Sequence, residues 1–91
     1  MSDTFVDNIE RGRFELTEGS HLAYATYRIA DGQMLIPYVE AASPLRGTGA
    51  AGRLLERVAA EARARGLKVV PMCGYASRWF RRNTQHGDLL G

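Results

Sequence analysis

The sequence predicts an α/β fold, and three observations lead to this prediction. Residues 13–41 hold short segments rich in β-favouring side chains, separated by turn signals. A glycine-rich turn at residues 46–52 is followed by a long segment with the apolar spacing of a helix. Residues 67–72 then form another short β-favouring segment. A strand, a long helix and a strand in this order predict a right-handed βαβ unit.

Three strands are predicted before the glycine-rich turn, after a polar lead. Residues 1–8 form this lead and are expected to fray, because little in them would hold them to the rest of the chain. Residues 13–16 alternate polar and apolar side chains, and residues 21–29 are rich in aromatic and β-favouring ones, so each predicts a strand. Asp31-Gly32 is a favoured hairpin turn, after which residues 33–36 return as the third strand.

A proline interrupts the third strand. Pro37 has no amide hydrogen for the ladder, so it marks an edge, a bulge or a break. Residues 38–41 then resume as extended chain. Glu40 stands there among apolar side chains, where a carboxylate is either a charge at the rim of a site, the commoner case, or a general base.

The long predicted helix covers residues 49–65. Its apolar side chains recur on one side, at positions 51, 54, 55, 58, 59 and 62. Gly66 is well placed to end it in a left-handed conformation. Residues 75–82 predict a second helix with Trp79 packed inward, and residues 84–91 follow as a tail without a predicted element.

Length and composition bound the class of protein. The 91 residues have room for one domain with a small core, which a second identical subunit would help to bury. The net charge of +2 favours anionic ligands only mildly. The single cysteine, Cys73, excludes an internal disulfide, and no apolar run is long enough to cross a bilayer. We therefore expect a soluble cytoplasmic protein. His21 and His86 are isolated, so no metal site is expected.

The glycine-rich turn is the clearest candidate for a binding site in the sequence. Gly47, Gly49 and Gly52 lead directly into the long helix, and Arg46 adds a positive charge at the mouth of the turn. Glycine permits positive φ and a close approach to the main chain. Because the first turn of a helix also offers unpaired amides, the turn is a candidate seat for a phosphate or pyrophosphate. A turn without a ligand fits the same glycines, and the lysine-serine or lysine-threonine pair of a P-loop is absent.

Other candidate residues each have a structural and a functional interpretation. Cys73 follows a predicted strand, where a free cysteine is most often a small buried hydrophobe, although a thiolate or a thiol lining a thioester pocket also fits. Tyrosines are most often packing residues, and one of them is a candidate proton donor to a leaving thiolate. These are Tyr24, Tyr27, Tyr38 and Tyr75. Residues 78–82 mix arginines and aromatics, which fits either a nucleic-acid face or, more commonly, a helix with solvated arginines.

Together these features resemble the GNAT superfamily of acetyl-CoA-dependent N-acyltransferases, and within it the smallest, single-domain branch. The cofactor motif of the superfamily is Gln or Arg, two residues, Gly, one residue, then Gly or Ala. Arg46, Gly49 and Ala51 match this motif, and the long helix follows as in the family. Residues 38–42 and the sequence Pro-Met-Cys-Gly-Tyr at residues 71–75 resemble the flanking segments of the small branch.

The resemblance implies both a fold and a reaction. The fold is a mixed, mainly antiparallel sheet splayed between two parallel strands, with a long helix after the glycine loop and a C-terminal helix. Acetyl-CoA would lie in the gap, and an amine of a small molecule, peptide or protein would attack its thioester directly. The implied cofactor-binding residues are Val39, Glu40, Ala41, Arg46, Gly47, Thr48, Gly49, Ala50, Ala51, Gly52 and Asn83. The implied catalytic residues are Cys73, Glu40, Tyr38 and Tyr75.

The chain also departs from the small branch. Tyr38 and Asn83 stand where that branch usually has histidine, and Gly74 replaces a proline. These departures leave Glu40 as the candidate base, directly or through water, and leave Cys73 as either a pocket residue or an acyl carrier. They keep open a CoA-binding module without transferase activity as a first alternative. A small basic nucleic-acid-binding protein is the second.

Overall fold

Five strands form one sheet whose spatial order follows the order of the chain. The structure, a computed structural model, describes residues 3–91. The strands are β1 (Asp3–Asn8), β2 (Arg13–Glu18), β3 (His21–Ala30), β4 (Gln33–Ala41) and β5 (Lys68–Pro71). Strands β1 to β4 are antiparallel neighbours, and β5 pairs with β4 in parallel. The predicted α/β class and the mainly antiparallel sheet are confirmed.

The N-terminal lead was expected to fray, and this prediction is wrong for residues 3–8. These residues form β1, which pairs with β2 over its whole length. The ring of Phe5 stacks on the ring of Phe14, with the ring centres 5.6 Å apart. Residues 3–8 have no clear strand pattern of their own, and pairing with β2 stabilises them as a strand. The local sequence therefore did not predict β1. Residues 1 and 2 lie outside the described residues.

Two α-helices and two short 3₁₀ segments complete the described chain. They are the 3₁₀ turn Ser43–Leu45, α1 (Ala50–Ala64), α2 (Gly74–Arg82) and the 3₁₀ segment Thr84–Leu89. Gly66 follows the C-cap residue of α1 and terminates the helix as predicted, with φ of 68°. The Leu67 amide donates to the Ala62 carbonyl at 2.9 Å, and the Gly66 amide donates to the Arg63 carbonyl at 3.2 Å. This closure pairs carbonyls that the end of a helix otherwise leaves free.

One apolar core lies between the sheet and the helices. The sheet contributes Phe14, Leu16, Ala23, Ala25, Met34, Ile36 and Val69, and α1 contributes Leu54, Leu55, Val58, Ala59 and Ala62. The inward residues of α2 are Ala76 and Phe80. Trp79, expected to pack inward, is only partly buried: it meets the Phe80 ring edge-on and stacks on His86.

Both helices pack on the same face of the sheet, because their inward side chains join the inward side chains of the strands in one core. The first turn of α1 also lies against α2 at Gly52 and Trp79. Within residues 3–91, no element covers the opposite face, on which Tyr24 and Tyr38 lie with their ring centres 6.1 Å apart. None of the helices in that part of the chain combines the length and apolar character needed to cross a membrane.

The sheet splays between β4 and β5. The two strands pair from Gln33 opposite Lys68 to Ile36 opposite Pro71, and the last bond runs from the Met72 amide to the Ile36 carbonyl at 2.9 Å. Residues 37–41 continue β4 without β5 as a neighbour. The β3–β4 register shifts at this point, so Pro37 lies in a bulge, one of the three options that its sequence left open.

The C-terminal residues, for which the sequence predicted no element, are ordered against the sheet. After the 3₁₀ segment, Leu90 forms a bridge with Val69, and the Gly91 amide donates to the Val69 carbonyl at 3.0 Å. The Lys68 ammonium also donates to the Asp88 carbonyl at 2.7 Å. Each of these contacts joins residues that are 20 or more positions apart, so no local sequence pattern could predict them.

Candidate functional site

A cleft of about 460 Å³ opens beside the point where β4 and β5 part. Its volume lies within the range of small-molecule sites, roughly 300–1,000 Å³. The lining residues come from the end of β4, the glycine-rich loop, the start of α1 and the start of α2. They are Val39, Glu40, Ala41, Leu45, Arg46, Gly47, Gly49, Ala50, Ala51 and Tyr75. Eight of the sequence-predicted cofactor residues and two of the predicted catalytic residues, Tyr75 and Glu40, therefore meet at one opening; Glu40 belongs to both sets.

The loop end of the cleft is built from unpaired main-chain amides. Gly47 and Gly49 have φ of 81° and 89°, a conformation that other residues rarely adopt, and Gly49 is the N-cap of α1. No side chain caps this helix. Across residues 3–91, no acceptor pairs with five amides at this junction, those of Gly47, Gly49, Ala50, Ala51 and Gly52. Since the helix dipole adds partial positive charge here, the junction can hold an anion.

The loop is held in shape by two side chains. The Thr48 hydroxyl and amide both donate to the Leu45 carbonyl, at 2.6 and 3.2 Å, so the Thr48 amide is used inside the loop. Arg53 donates to the Thr48 carbonyl at 3.0 Å. The same guanidinium forms a bidentate pair with Glu18 of β2, at 2.7 and 2.8 Å. Arg53 thereby ties the loop to the sheet and fixes the amides before any ligand arrives.

Gly52 has a packing role in addition to its free amide. A Cβ atom at this position would lie 3.2 Å from the Trp79 indole nitrogen and 3.7 Å from the Tyr75 hydroxyl. Any larger side chain would push α2 away from the first turn of α1. The glycine therefore lets the two helices approach closely beside the cleft.

The β4 wall of the cleft offers free main-chain groups as well. The Ala42 amide donates to the Leu22 carbonyl of β3 at 2.9 Å. Antiparallel pairing alternates, so the main-chain groups of Tyr38 and Glu40 face β3, whereas those of Val39 and Ala41 face the gap. The Arg46 side chain donates to the Ala41 carbonyl at 3.1 Å, which agrees with this direction. An extended ligand can pair with this edge as an added strand would.

Arg46, Glu40 and Tyr38 form one polar group at the rim. Arg46 donates to one Glu40 oxygen at 2.8 Å, and the Tyr38 hydroxyl donates to the other at 3.0 Å. The hydrogen bond to this carboxylate raises the pKa of the Tyr38 phenol, which therefore stays protonated. The Arg46 and Glu40 side chains are 62% and 36% exposed. Such an exposed pair stabilises by only about 0–1 kcal/mol, so Arg46 is free to exchange Glu40 for an anion.

The remaining predicted site residues lie at the ends of α2. Tyr75 lines the cleft, and burial raises the pKa of its phenol. The Cys73 sulfur caps α2 by accepting from the Ala76 amide at 3.4 Å, and Cys73 does not line the cleft. Asn83 is likewise outside the lining: its side chain donates to the Trp79 carbonyl at 2.8 Å and closes the other end of the helix. Between residues 3 and 91, no cluster of metal-ligating side chains is found.

The sequence matches a family model for GCN5-related N-acetyltransferases over residues 13–89. The chain belongs to this family. No curated protein matches its sequence. Among the solved structures that match is the solution structure of a GCN5-like candidate N-acetyltransferase from Staphylococcus aureus. The two chains are 25% identical and superpose with a TM-score of 0.78, covering 100% of this chain and 91% of the other.

Two residues of this candidate site were not singled out from the sequence. Leu45 lines the cleft from the 3₁₀ turn, and the Ser43-Pro44 pair before it was the available signal for such a turn. Arg53 holds the loop through a partner 35 positions away, Glu18. A contact of that sequence separation leaves no local signal.

Proposed function

We propose that this chain binds acetyl-CoA in the cleft and transfers its acetyl group to an amine by direct attack. The observation that carries the proposal is the set of unpaired amides at the junction of the glycine-rich loop and α1. A pyrophosphate needs several donors converging on one place, and these amides supply them without a rearrangement of the chain. The family match supports the same class of reaction.

The loop would hold the pyrophosphate through the amides of Gly47, Gly49, Ala50 and Ala51. Arg46 at the rim adds the formal positive charge, exchanging its exposed partner Glu40 for the phosphate. The pantetheine arm is an extended chain with amide groups, which suits the free main-chain groups of Val39 and Ala41 along the gap. The loop thus provides hydrogen-bond donors for the pyrophosphate, and the free edge of β4 provides main-chain groups for the pantetheine arm.

Acetyl-CoA supplies the acyl group as a thioester. The amine nitrogen forms a bond to the acyl carbon, the carbon–sulfur bond breaks, and the amine loses a proton to a base. Each Glu40 oxygen accepts one hydrogen bond and retains lone pairs, so Glu40 is the proposed base, directly or through water. The leaving sulfur needs a proton, and Tyr75 is the proposed donor because its phenol lines the cleft in the protonated form.

A CoA-binding module without transferase activity is the second candidate. It is favoured by the pairing of Glu40 with both Arg46 and Tyr38 and by the use of the Cys73 sulfur as a helix cap. Incubation with labelled acetyl-CoA and a panel of amines, polyamines and peptides separates the two. Label on an acceptor supports the transferase, whereas binding with no labelled acceptor supports the module. Label on the protein that is lost in Cys73→Ser would make Cys73 an acyl carrier.

The binding claim is tested by calorimetric titration of acetyl-CoA into two matched variants. Gly49→Arg fills the amide junction and should abolish binding. Gly66→Arg places the same side chain at another glycine of positive φ, at the far end of α1 with open space around it, and should keep the wild-type affinity. Wild-type protein that does not bind at millimolar acetyl-CoA, or a Gly49→Arg variant that still binds, would contradict the proposal.

A further inference from the structure

A concentration of unpaired positive charge lies on α2. The helix and its C-cap residue carry three arginines, Arg78, Arg81 and Arg82, and no acidic side chain. Five arginines elsewhere pair with carboxylates: Arg13, Arg46, Arg53, Arg63 and Arg65. Arg81 donates to the Ser77 hydroxyl at 3.0 Å. Within the part of the chain that the structure describes, neither Arg78 nor Arg82 has an ion-pair partner.

These two arginines lie on the side of α2 that borders the cleft. Tyr75, Arg78 and Arg82 are separated by three and four positions and therefore form a row along one helix side. Tyr75 lines the cleft. Burial raises the pKa of the Tyr75 phenol, and the positive charge of Arg82 opposes this rise, so the guanidinium lies close enough to act on the phenol. Tyr75 also approaches Gly52, in the first turn of α1.

The end of the cleft at which this charge lies determines what it can bind. The indole of Trp79 lies against Gly52 in the first turn of α1, directly after the free amides, so Arg78 and Arg82, on either side of Trp79 in α2, border the amide end of the cleft. If the amides hold the pyrophosphate of CoA, its two neighbours are the uncharged pantetheine arm and the ribose, and only the ribose can offer a charge to the arginines. In CoA that ribose carries a 3′-phosphate, a monoester with a charge of about −1.5 to −2 at neutral pH.

We propose that Arg78 and Arg82 form a subsite for the 3′-phosphate of CoA. The inference rests on the proposed cofactor function and assigns a further contact to it. Guanidinium groups pair with phosphate through two parallel hydrogen bonds, and two unpaired arginines match a dianion in charge. The subsite also gives a role to the first and last arginines of the mixed basic and aromatic residues 78–82, which the amide junction leaves unexplained.

The test compares CoA with dephospho-CoA, which lacks only the 3′-phosphate, by calorimetric titration in one low-salt buffer. Wild-type protein should bind CoA about tenfold more tightly, as expected for a charge-assisted contact. In the double variant Arg78→Gln/Arg82→Gln the preference should fall to near unity, while the affinity for dephospho-CoA stays unchanged. Arg28→Gln, which removes the same charge at an exposed position in β3 on the far side of the β4 bulge, should keep the tenfold preference.

The conservative variant Arg78→Lys/Arg82→Lys keeps the charge and should retain part of the preference for CoA. It controls for the possibility that the glutamine variant loses the preference because α2 unfolds. Equal wild-type affinity for the two ligands would overturn the subsite and leave the cofactor proposal standing. Failure of both ligands to bind wild-type protein would overturn the cofactor proposal itself. Retention of a single-stranded oligonucleotide that is lost in the double variant and not competed by CoA would assign these arginines to nucleic acid instead.

Discussion

The two halves of β4 show how one strand serves both the fold and the site. Residues 33–36 have β5 as a neighbour, and their inward side chains, Met34 and Ile36, are completely buried. Residues 37–41 lie next to β3 alone, and their other edge faces the cleft. The first half therefore contributes mainly stability, whereas the second half contributes free main-chain groups.

The bulge at Pro37 makes this division possible. Before the bulge the even-numbered side chains face the core, and after it Val39 and Ala41 take that direction. One extra residue in the strand shifts the alternation by one position, which sends Tyr38 and Glu40 to the uncovered face of the sheet. A single irregularity thus separates the apolar wall of the cleft from its polar rim.

The largest expected effect is a difference in the free energy of unfolding between substitutions in the two halves of β4. Ile36→Ala removes a completely buried side chain and should lower the free energy of unfolding by about 2–5 kcal/mol. Val39→Ala, in the open half, removes a partly buried side chain and should cost only about 1 kcal/mol. Urea denaturation of both variants measures the difference. Equal losses would show that the open half is as much a part of the core as the paired half.

The next effect concerns the chemistry of the cleft. Tyr75→Phe should lower the acetyl-transfer rate roughly a hundredfold, as expected for loss of a general acid, and leave acetyl-CoA affinity nearly unchanged. Tyr38→Phe should change the acetyl-transfer rate little, because the Tyr38 hydroxyl donates its proton in a hydrogen bond to Glu40 and not to the substrate.

The dependence of the transfer rate on pH gives a second readout for Tyr75. The donating form of this phenol is the protonated one, and burial raises its pKa. The form is therefore fully present at neutral pH, and the wild-type rate should fall only above about pH 10. If Tyr38→Phe lowered the transfer rate a hundredfold and Tyr75→Phe kept the wild-type rate, Tyr38 rather than Tyr75 would be the proton donor.

The smallest effect tests the direction of the main-chain groups in the open half. Glu40→Pro removes an amide that faces β3 and should destabilise the fold by about 1 kcal/mol more than Val39→Pro does. Val39→Pro removes an amide that faces the gap, so it should spare the ladder and weaken acetyl-CoA binding. Thermal unfolding and calorimetry measure the two quantities. The reverse order of stability would place the Val39 amide in the ladder.

Local signals in the sequence predicted much of the fold and the loop end of the site. Glycine permits positive φ at no steric cost, and Gly47, Gly49 and Gly66 adopt it, so the turn into α1 and the end of that helix could both be predicted from their positions beside a helical pattern. The strand β1 was missed because residues 3–8 carry no clear strand pattern of their own and are held by pairing with β2. The contact of Arg53 with Glu18 was missed because the two residues lie 35 positions apart.

The outer members of the site were harder to predict than the loop. Cys73 and Asn83 were grouped with it by resemblance, yet their side chains cap the two ends of α2. A capping role depends on where the helix begins and ends, and a shift of one residue at either end changes which side chains face the cleft.

The central claim is that bare amides at one helix start bind the cofactor, and amide NMR during titration with acetyl-CoA tests it most directly. We predict that the largest shifts in the amide nitrogen and proton signals occur at Gly47, Gly49, Ala50 and Ala51, with smaller shifts at Val39 and Ala41. Unchanged signals at the loop, with the largest shifts elsewhere in the chain, would contradict the account.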